Sequence, residues 1–304
     1  MKVMIVARYK ENGFAPFVTE QVAALEEVGV ECKMFPVKSN NYLRYYSELK
    51  RTIRSFRPDI VHAHYGLCGL LANLQRRVPV VTTYHGSDIN DPQVRRLSKM
   101  AIRFSAYNVF VSQKNIDLVR PKKNFALIPC GINLSDFPSV GKAEARGQIG
   151  LAKDGKYVLF AGAFGNLIKN ASLAQAAVSQ LPGVQLLELK GYSRPQVALL
   201  MQAVDAMLMT SITEGSPQVV KEAMACGCPI VSVDVGDVKE RVNGVEGCFV
   251  SNSFKPEELA SLLDKALSFG MRTDGRSAVI RDGLTGEVVA TRLKEVYNQV
   301  LKRK

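Results

Sequence analysis

The 304-residue chain has no tryptophan, only three histidines, and six cysteines without a CxxC pair. The scatter of Cys32, Cys68, Cys130, Cys226, Cys228 and Cys248 argues against a disulfide framework and for a reduced, cytosolic protein with small buried thiols. No apolar run approaches the ~18–20 residues that a membrane span needs, and the opening MKVMIVARYKENG reads as a first strand rather than a leader. Negative charge is scarce in one half only. Residues 1–150 hold 22 Lys/Arg against 12 Asp/Glu and the remainder 18 against 16, within a formal charge of +12. Such asymmetry implies an anionic partner for the first half: a membrane face, a phosphorylated substrate or nucleic acid. No interleaved aromatic platform accompanies the charge, which disfavours nucleic acid.

What is present is strand–helix alternation, twice. VMIVA (3–7), IVHAH (60–64), PVVTTY (79–84), NVFVS (108–112) and FALIP (125–129) read as buried strands in the first half. YVLFAG (157–162), VQLLELK (184–190), AMLMTS (206–211), PIVSVD (229–234) and CFVS (248–251) repeat the scheme. Near-continuous apolar strands separated by helical patterns imply parallel sheets covered on both faces. The expectation is an α/β protein of two doubly wound, Rossmann-like domains with a ligand cleft between them. The polar stretch 133–156 is the candidate linker, placing the domains at 1–138 and 139–287.

The most informative stretch is SITEGSPQVVKEAMACGCPI (211–230), with Glu214 and Glu222 eight positions apart. Ser216 is suited to cap a helix, Pro217 to its first position and Gly227 to its end. Glu214 then precedes the helix and Glu222 lies inside it, with the free N–H groups of the first turn between them as an anion site. A ligand with a diphosphate centre and a diol at each end would fit, as would, more plainly, a capped surface helix with two solvated glutamates.

EGSPQVVKEAMACGCPIV resembles the E-x7-E signature of the retaining glycosyltransferases of family 4, which have the two-domain GT-B fold. FAGAFGNLIKN (160–170), VDAMLMTSITEG (204–215), TYHGSDIN (83–90), IPCGINLSDF (128–137) and NGFAPFVTEQVAAL (12–25) extend the likeness over nearly the whole chain. The resemblance implies a catalytic set of Glu214, His85 and Lys169: Glu214 on the donor sugar, His85 lining the cleft near it, Lys169 on the diphosphate. It implies donor contacts from Gly13, Lys169, Asn170, Gly215, Ser216, Pro217, Gln218 and Val219, a ribose contact from Glu222, and a nucleobase region at Lys190, Gly191 and Tyr192. His85 and Asp88 fall on the acceptor side, where Asp88 serves equally well as a turn residue.

The family's usual arginine six positions before the diphosphate lysine is missing here, that region reading Ala163, Phe164 and Gly165; Arg194 is a weak candidate to replace it. The co-substrates implied are a UDP- or GDP-sugar and a glycan or lipid-linked acceptor. No cofactor and no metal are expected, since the chain lacks a DxD pair. In the GT-B fold the final helix, here 288–304, returns to the N-terminal domain. An epimerase, a phosphorylase or a degenerate sugar-nucleotide binder on the same architecture stay open; a phosphorylase would need a pyridoxal-binding lysine that is not identifiable.

His62 and His64 share one strand face and could join His85 around zinc, although no fourth ligand is spaced to complete the set. In YLRYYSELKRTIRSFR (42–57), Leu43, Tyr46, Leu49, Ile53 and Phe56 form one stripe beside Arg44, Lys50, Arg51, Arg54 and Arg57. That helix could lie on anionic lipid at the inner face of the cell membrane or pack its stripe onto the sheet. RRLSKMAIR (95–103) is a second basic cluster.

Overall fold

The computed structural model describes residues 1–10, 13–38 and 42–303, with the backbone alone for Tyr42 and Leu43. Two α/β units result: Met1–Gly131 together with the segment from Leu284, and Ile132–Gly283.

The first unit contains β1 (Lys2–Lys10), β2 (Gly13–Phe14), α1 (Pro16–Glu27), β3 (Glu31–Val37), α2 (Tyr42–Phe56), β4 (Ile60–His64) and α3 (Gly66–Asn73). It continues with β5 (Val80–Tyr84), α4 (Ser87–Asn90), α5 (Pro92–Phe104), β6 (Tyr107–Phe110), α6 (Gln113–Val119) and β7 (Phe125–Leu127). The strands lie parallel in the order β3-β1-β4-β5-β6-β7, with β2 antiparallel to the end of β1. Strand alternation sorts β1 into two cores. Val3, Ile5 and Ala7 face Val22 and Leu25, whereas Met4 and Val6 face Leu49, Ile53 and Leu71.

The second unit contains α7 (Lys142–Ile149), β8 (Lys156–Phe160), α8 (Ala171–Val178), β9 (Val184–Glu188), α9 (Arg194–Ala203) and β10 (Ala206–Met209). It closes with α10 (Gln218–Ala225), β11 (Ile230–Val233), α11 (Val238–Arg241), β12 (Phe249–Ser251), α12 (Pro256–Phe269) and α13 (Gly275–Arg281). Its five strands run parallel in the order β12-β11-β10-β8-β9. The last helix, α14 (Gly286–Leu301), belongs to the first unit and sends Val289, Leu293, Val296 and Tyr297 into the core beneath α1. Each such aliphatic side chain contributes roughly 1.5–3 kcal/mol on full burial.

Two expectations need correction, and one open alternative is decided. The divide falls at 131/132 and 283/284, not at 138/139 and 287/288, because residues 134–137 are tied to the second unit. Arg276 there donates to the carbonyls of Leu134 and Phe137 at 3.1 and 2.7 Å. Stretch 133–156 is not a loose linker: α7 sits inside it, buries Ala145 and Arg146, and ties to Asp205 through Arg146 at 3.0 Å. Of the two readings of α2, packing holds: it buries Tyr45, Leu49 and Ile53 against the sheet, so its apolar stripe is not free for lipid; the side chain of Leu43 lies outside the described residues.

Candidate active site

In the second unit the chain leaves β8 toward β9 on one side and returns to β10 on the other. Loops after β8 and β10 are therefore neighbours at a topological switch point, where parallel α/β sheets collect ligands. Ile212 N donates to Ile168 O at 2.9 Å, and the Thr210 hydroxyl lies 2.9 Å from both the Lys169 and Asn170 carbonyls. These bonds clamp the two loops together. Asn170, at φ +54°, ends a short 3-10 turn (Leu167–Lys169) and begins α8, which turns Lys169 back toward β10. The result is an ion pair: Lys169 Nζ donates to Glu214 Oε1 at 2.6 Å, with both side chains about four-fifths buried.

Glu222 lies on the fifth residue of α10 and pairs with Arg194 at the start of α9. Arg194 also lies over the Phe137 ring, 4.9 Å from its centroid. The cation weighed as a partner for Lys169 thus serves Glu222 instead.

The helix start differs from expectation. Pro217 holds the cap position and Gln218 begins the helix. The Ser216 hydroxyl turns away from the helix and donates to Asp237 Oδ2 at 2.8 Å. Asp237, at the start of α11, also pairs with Arg241 at 3.2 Å, and burial raises its carboxyl above the usual range. Sequence reasoning missed Asp237; its position just before a short helix, in the loop that follows β11, was the available signal. Gly236 makes this corner feasible: at φ +57°, a Cβ there would stand 2.5 Å from Gly215 O.

The remaining expected donor residues lie on the same strand ends. Gly215 and Pro217 are buried in the turn into α10, and Gln218 and Val219 form its first turn. Buried Lys221 donates to Gln218 Oε1 at 2.7 Å. Lys190, Gly191 and Tyr192 form an exposed loop after β9, with Gly191 at φ +81°.

In the first unit His85 follows β5. Its Nε2 is 2.9 Å from His64 Nδ1 and its Nδ1 is 3.7 Å from Cys130 Sγ. The rings of His62, His64 and His85 stack in series, at 4.9 and 5.1 Å, instead of converging as zinc ligands. Among the described residues no group of three or more His, Cys, Asp and Glu side chains is arranged to hold a metal ion. Burial pushes His64 down to about 3 and His62 well below its ordinary value, so both are neutral imidazoles. Asp88 is a turn organiser: its carboxylate accepts from the backbone N–H of His85, Gly86 and Gly66 at 2.9, 3.1 and 2.8 Å. Burial nevertheless pushes it up to about 6. Gly13, at φ +101°, and Asp88 both line a cavity of about 1430 Å³ in this unit.

Residues 3–136 match the family model "Glycosyltransferase Family 4", and residues 151–268 match "Glycosyl transferases group 1". A D-inositol 3-phosphate glycosyltransferase of Thermobispora bispora is 26% identical over 323 residues, covering 85% of this chain and 75% of that protein. The chain spans 52% to 75% of the length of the curated relatives it matches. Among solved structures, sucrose-phosphate synthase from Thermosynechococcus elongatus superposes with a TM-score of 0.83 at 18% identity, over 100% of both chains. Anabaena HepE in complex with UDP follows at 0.77 and 17%, over 98% of this chain and 100% of that one. With both halves matched and both sheets of the GT-B type, the chain belongs to the family 4 glycosyltransferases.

Proposed function

We propose that this glycosyltransferase moves a sugar, with retention of anomeric configuration and without a metal, from a UDP- or GDP-sugar to a hydroxyl of a glycan or lipid-linked acceptor in cell-surface glycan synthesis. The observation that carries the donor half is the alignment of Lys169, Glu214, the start of α10 and Glu222 at one switch point. Lys169 would meet the diphosphate, the first turn of α10 its oxygens, Glu222 the ribose and Glu214 the sugar hydroxyls. The HepE complex with UDP makes UDP the first nucleotide to test.

In the reaction, the bond from the anomeric carbon to the β-phosphate oxygen breaks, and the acceptor oxygen bonds to that carbon on the same face. The acceptor proton passes to the departing phosphate. Lys169 offsets the charge that develops there, so the chain's contribution is positioning and electrostatics. His85, whose ring nitrogens face His64 and Cys130, is proposed to act as a fixed wall near the transferred sugar.

For membrane attachment the candidate is α5, not α2. Leu97, Met100 and Phe104 stand exposed at 40%, 47% and 46%, beside exposed Arg96, Lys99 and Arg103. An apolar ridge fringed by cations suits the surface of an anionic bilayer. No helix of the described residues is long and apolar enough to cross one.

A screen of UDP- and GDP-sugars, with nuclear magnetic resonance of the product, tests the reading. Release of nucleoside diphosphate with a retained anomer in the product is expected. An epimerised sugar nucleotide without diphosphate release, or binding without turnover, would overturn it.

A further inference from the structure

We infer that the first unit's cavity is an acceptor site for a molecule carrying a phosphate or carboxylate near its accepting hydroxyl, anchored by Arg8 with Lys10 and Lys38 alongside. This rests on the glycosyltransferase reading and adds the acceptor's chemistry to it. In this unit the chain leaves β1 for β3 on one side and β4 on the other, so the ends of β1 and β4 flank the switch point. The cavity opens there, lined by Ala7–Lys10 from β1 and by Tyr65 just after β4. About 1430 Å³ exceeds the usual span of small-molecule pockets, ample for a substituted sugar or polyol.

The charges lining it are unequal in availability. Asp88 is occupied by three backbone N–H donors, and Asp91 caps α5 by accepting from Gln93 N at 2.8 Å. The side chains of Arg8, Lys10 and Lys38, by contrast, make no ion pair or hydrogen bond among the described residues. Lys38 only lies over the Tyr9 ring, at 5.1 Å. A neutral acceptor would offer these exposed cations only hydroxyl oxygens, whose hydrogen bonds are roughly half as strong as those of an anion. A phosphate or carboxylate would restore charge-assisted hydrogen bonds, bidentate in the case of Arg8.

The opposite wall is built at a cost. Tyr65 holds φ +72°, an unfavourable conformation for a residue with a side chain, and is kept there by Tyr65 N donating to Thr83 O at 2.8 Å and by the Asp88 clamp on Gly66. The strain places its ring against the cavity, 4.6 Å from His85. Burial raises the phenol well above its ordinary range, so it offers an O–H donor. Aromatic wall, hydroxyl donor and cations together fit a ring with an anionic substituent.

The test uses the full chain with its nucleotide site saturated by UDP, and titrates inorganic phosphate followed by line broadening in phosphorus resonance. Phosphate should bind, and Arg8→Gln should weaken it at least about tenfold, with a smaller loss in Lys38→Gln. UDP affinity, measured by calorimetry, should stay within about twofold in both variants and reports that they are folded. Lys169→Ala should keep Arg8-dependent phosphate binding, which separates this cavity from the nucleotide site. Failure of the wild type to bind UDP would sink the donor reading alone. Absence of phosphate binding, or equal affinity in Arg8→Gln, would overturn the acceptor inference alone. Glycerol 3-phosphate, glycerophosphoglycerol and succinate as competitors then identify the source: a soluble monoester, a lipid headgroup diester or a carboxylate.

Discussion

Arg194 and Glu222 form an ion pair across the starts of α9 and α10, with the guanidinium resting on Phe137 and the carboxylate nine-tenths buried. Removing one partner leaves the other's charge in a poorly solvated place, which is more costly than losing the pair. Arg194→Ala and Glu222→Ala should each destabilise the chain by roughly 1–3 kcal/mol, and the double variant by clearly less than their sum. Urea unfolding of the four proteins measures this. Strict additivity would mean that the two side chains do not interact in solution.

The two glutamates should separate by ligand. Glu222→Ala should weaken free UDP and the intact donor alike, by about tenfold to a hundredfold. Glu214→Ala should reduce donor turnover by a similar factor yet leave free UDP affinity unchanged or slightly tighter, because Lys169 loses its competing carboxylate. Calorimetry with UDP and with donor decides; equal losses of UDP affinity in both variants would reverse the ligand's direction along α10.

Lys169→Ala should weaken UDP and slow turnover together, by on the order of 1.5–3 kcal/mol for one charge-assisted contact. Uridine, which has no phosphate, should bind the variant as well as it binds the wild type. If uridine and UDP lose equally, the defect is one of folding.

Gly236→Ala should damage the donor loop at a distance. Its Cβ would meet Gly215 O at 2.5 Å from a backbone at φ +57°. Either the substitution costs about 1–3 kcal/mol in strain, or residues 214–216 shift. A lowered melting temperature with weakened UDP binding is expected, and unchanged values of both would refute the packing.

Acid should destabilise the protein through its histidines. His62 and His64 have folded values far below the ordinary 6.5, so the unfolded chain takes up their protons first as pH falls below 6.5. Stability present above that point is lost progressively, at up to about 1.4 kcal/mol per pH unit for each ring. Asp88 acts oppositely: with a folded value of about 6 against 3.8, the native state holds its proton longer, so its contribution falls as pH rises from about 4 to about 6. Asp237, whose carboxyl is also raised by burial, opposes the rings in the same way, so the net loss between pH 6 and 4 is shallower than the two rings alone would give. Urea midpoints against pH should show it, and Asp88→Asn should make the slope steeper.

Much of this was legible in the sequence, for identifiable reasons. Apolar runs such as VMIVA and AMLMTS gave away buried parallel strands, and Gly227, at φ +63°, ended α10 as its position suggested. By contrast β3, ECKMFPV, escaped because it mixes Glu31, Lys33 and Pro36 into an edge strand whose outer residues meet solvent. Ser216 carried the signal of a helix cap, but tertiary packing gave its hydroxyl to Asp237. Nothing local could have paired Arg194 with Glu222, which are brought together only by the crossing of α9 and α10. Nor could spacing tell that the three histidine rings stack face to face in series, with His62 tied to Thr83 at 2.7 Å.

The return of α14 to the first unit has a consequence for biosynthesis. Residues 132–283 form one contiguous unit whose internal contacts need no later segment of the chain. The first unit is completed later: its α1-side core waits for Leu293, Val296 and Tyr297, and buried His62 waits for the Tyr297 hydroxyl, until α14 has been translated. The half synthesised first is therefore the half completed last, and during that interval Val22, Leu25 and their neighbours on α1 form the surface that chaperones would meet.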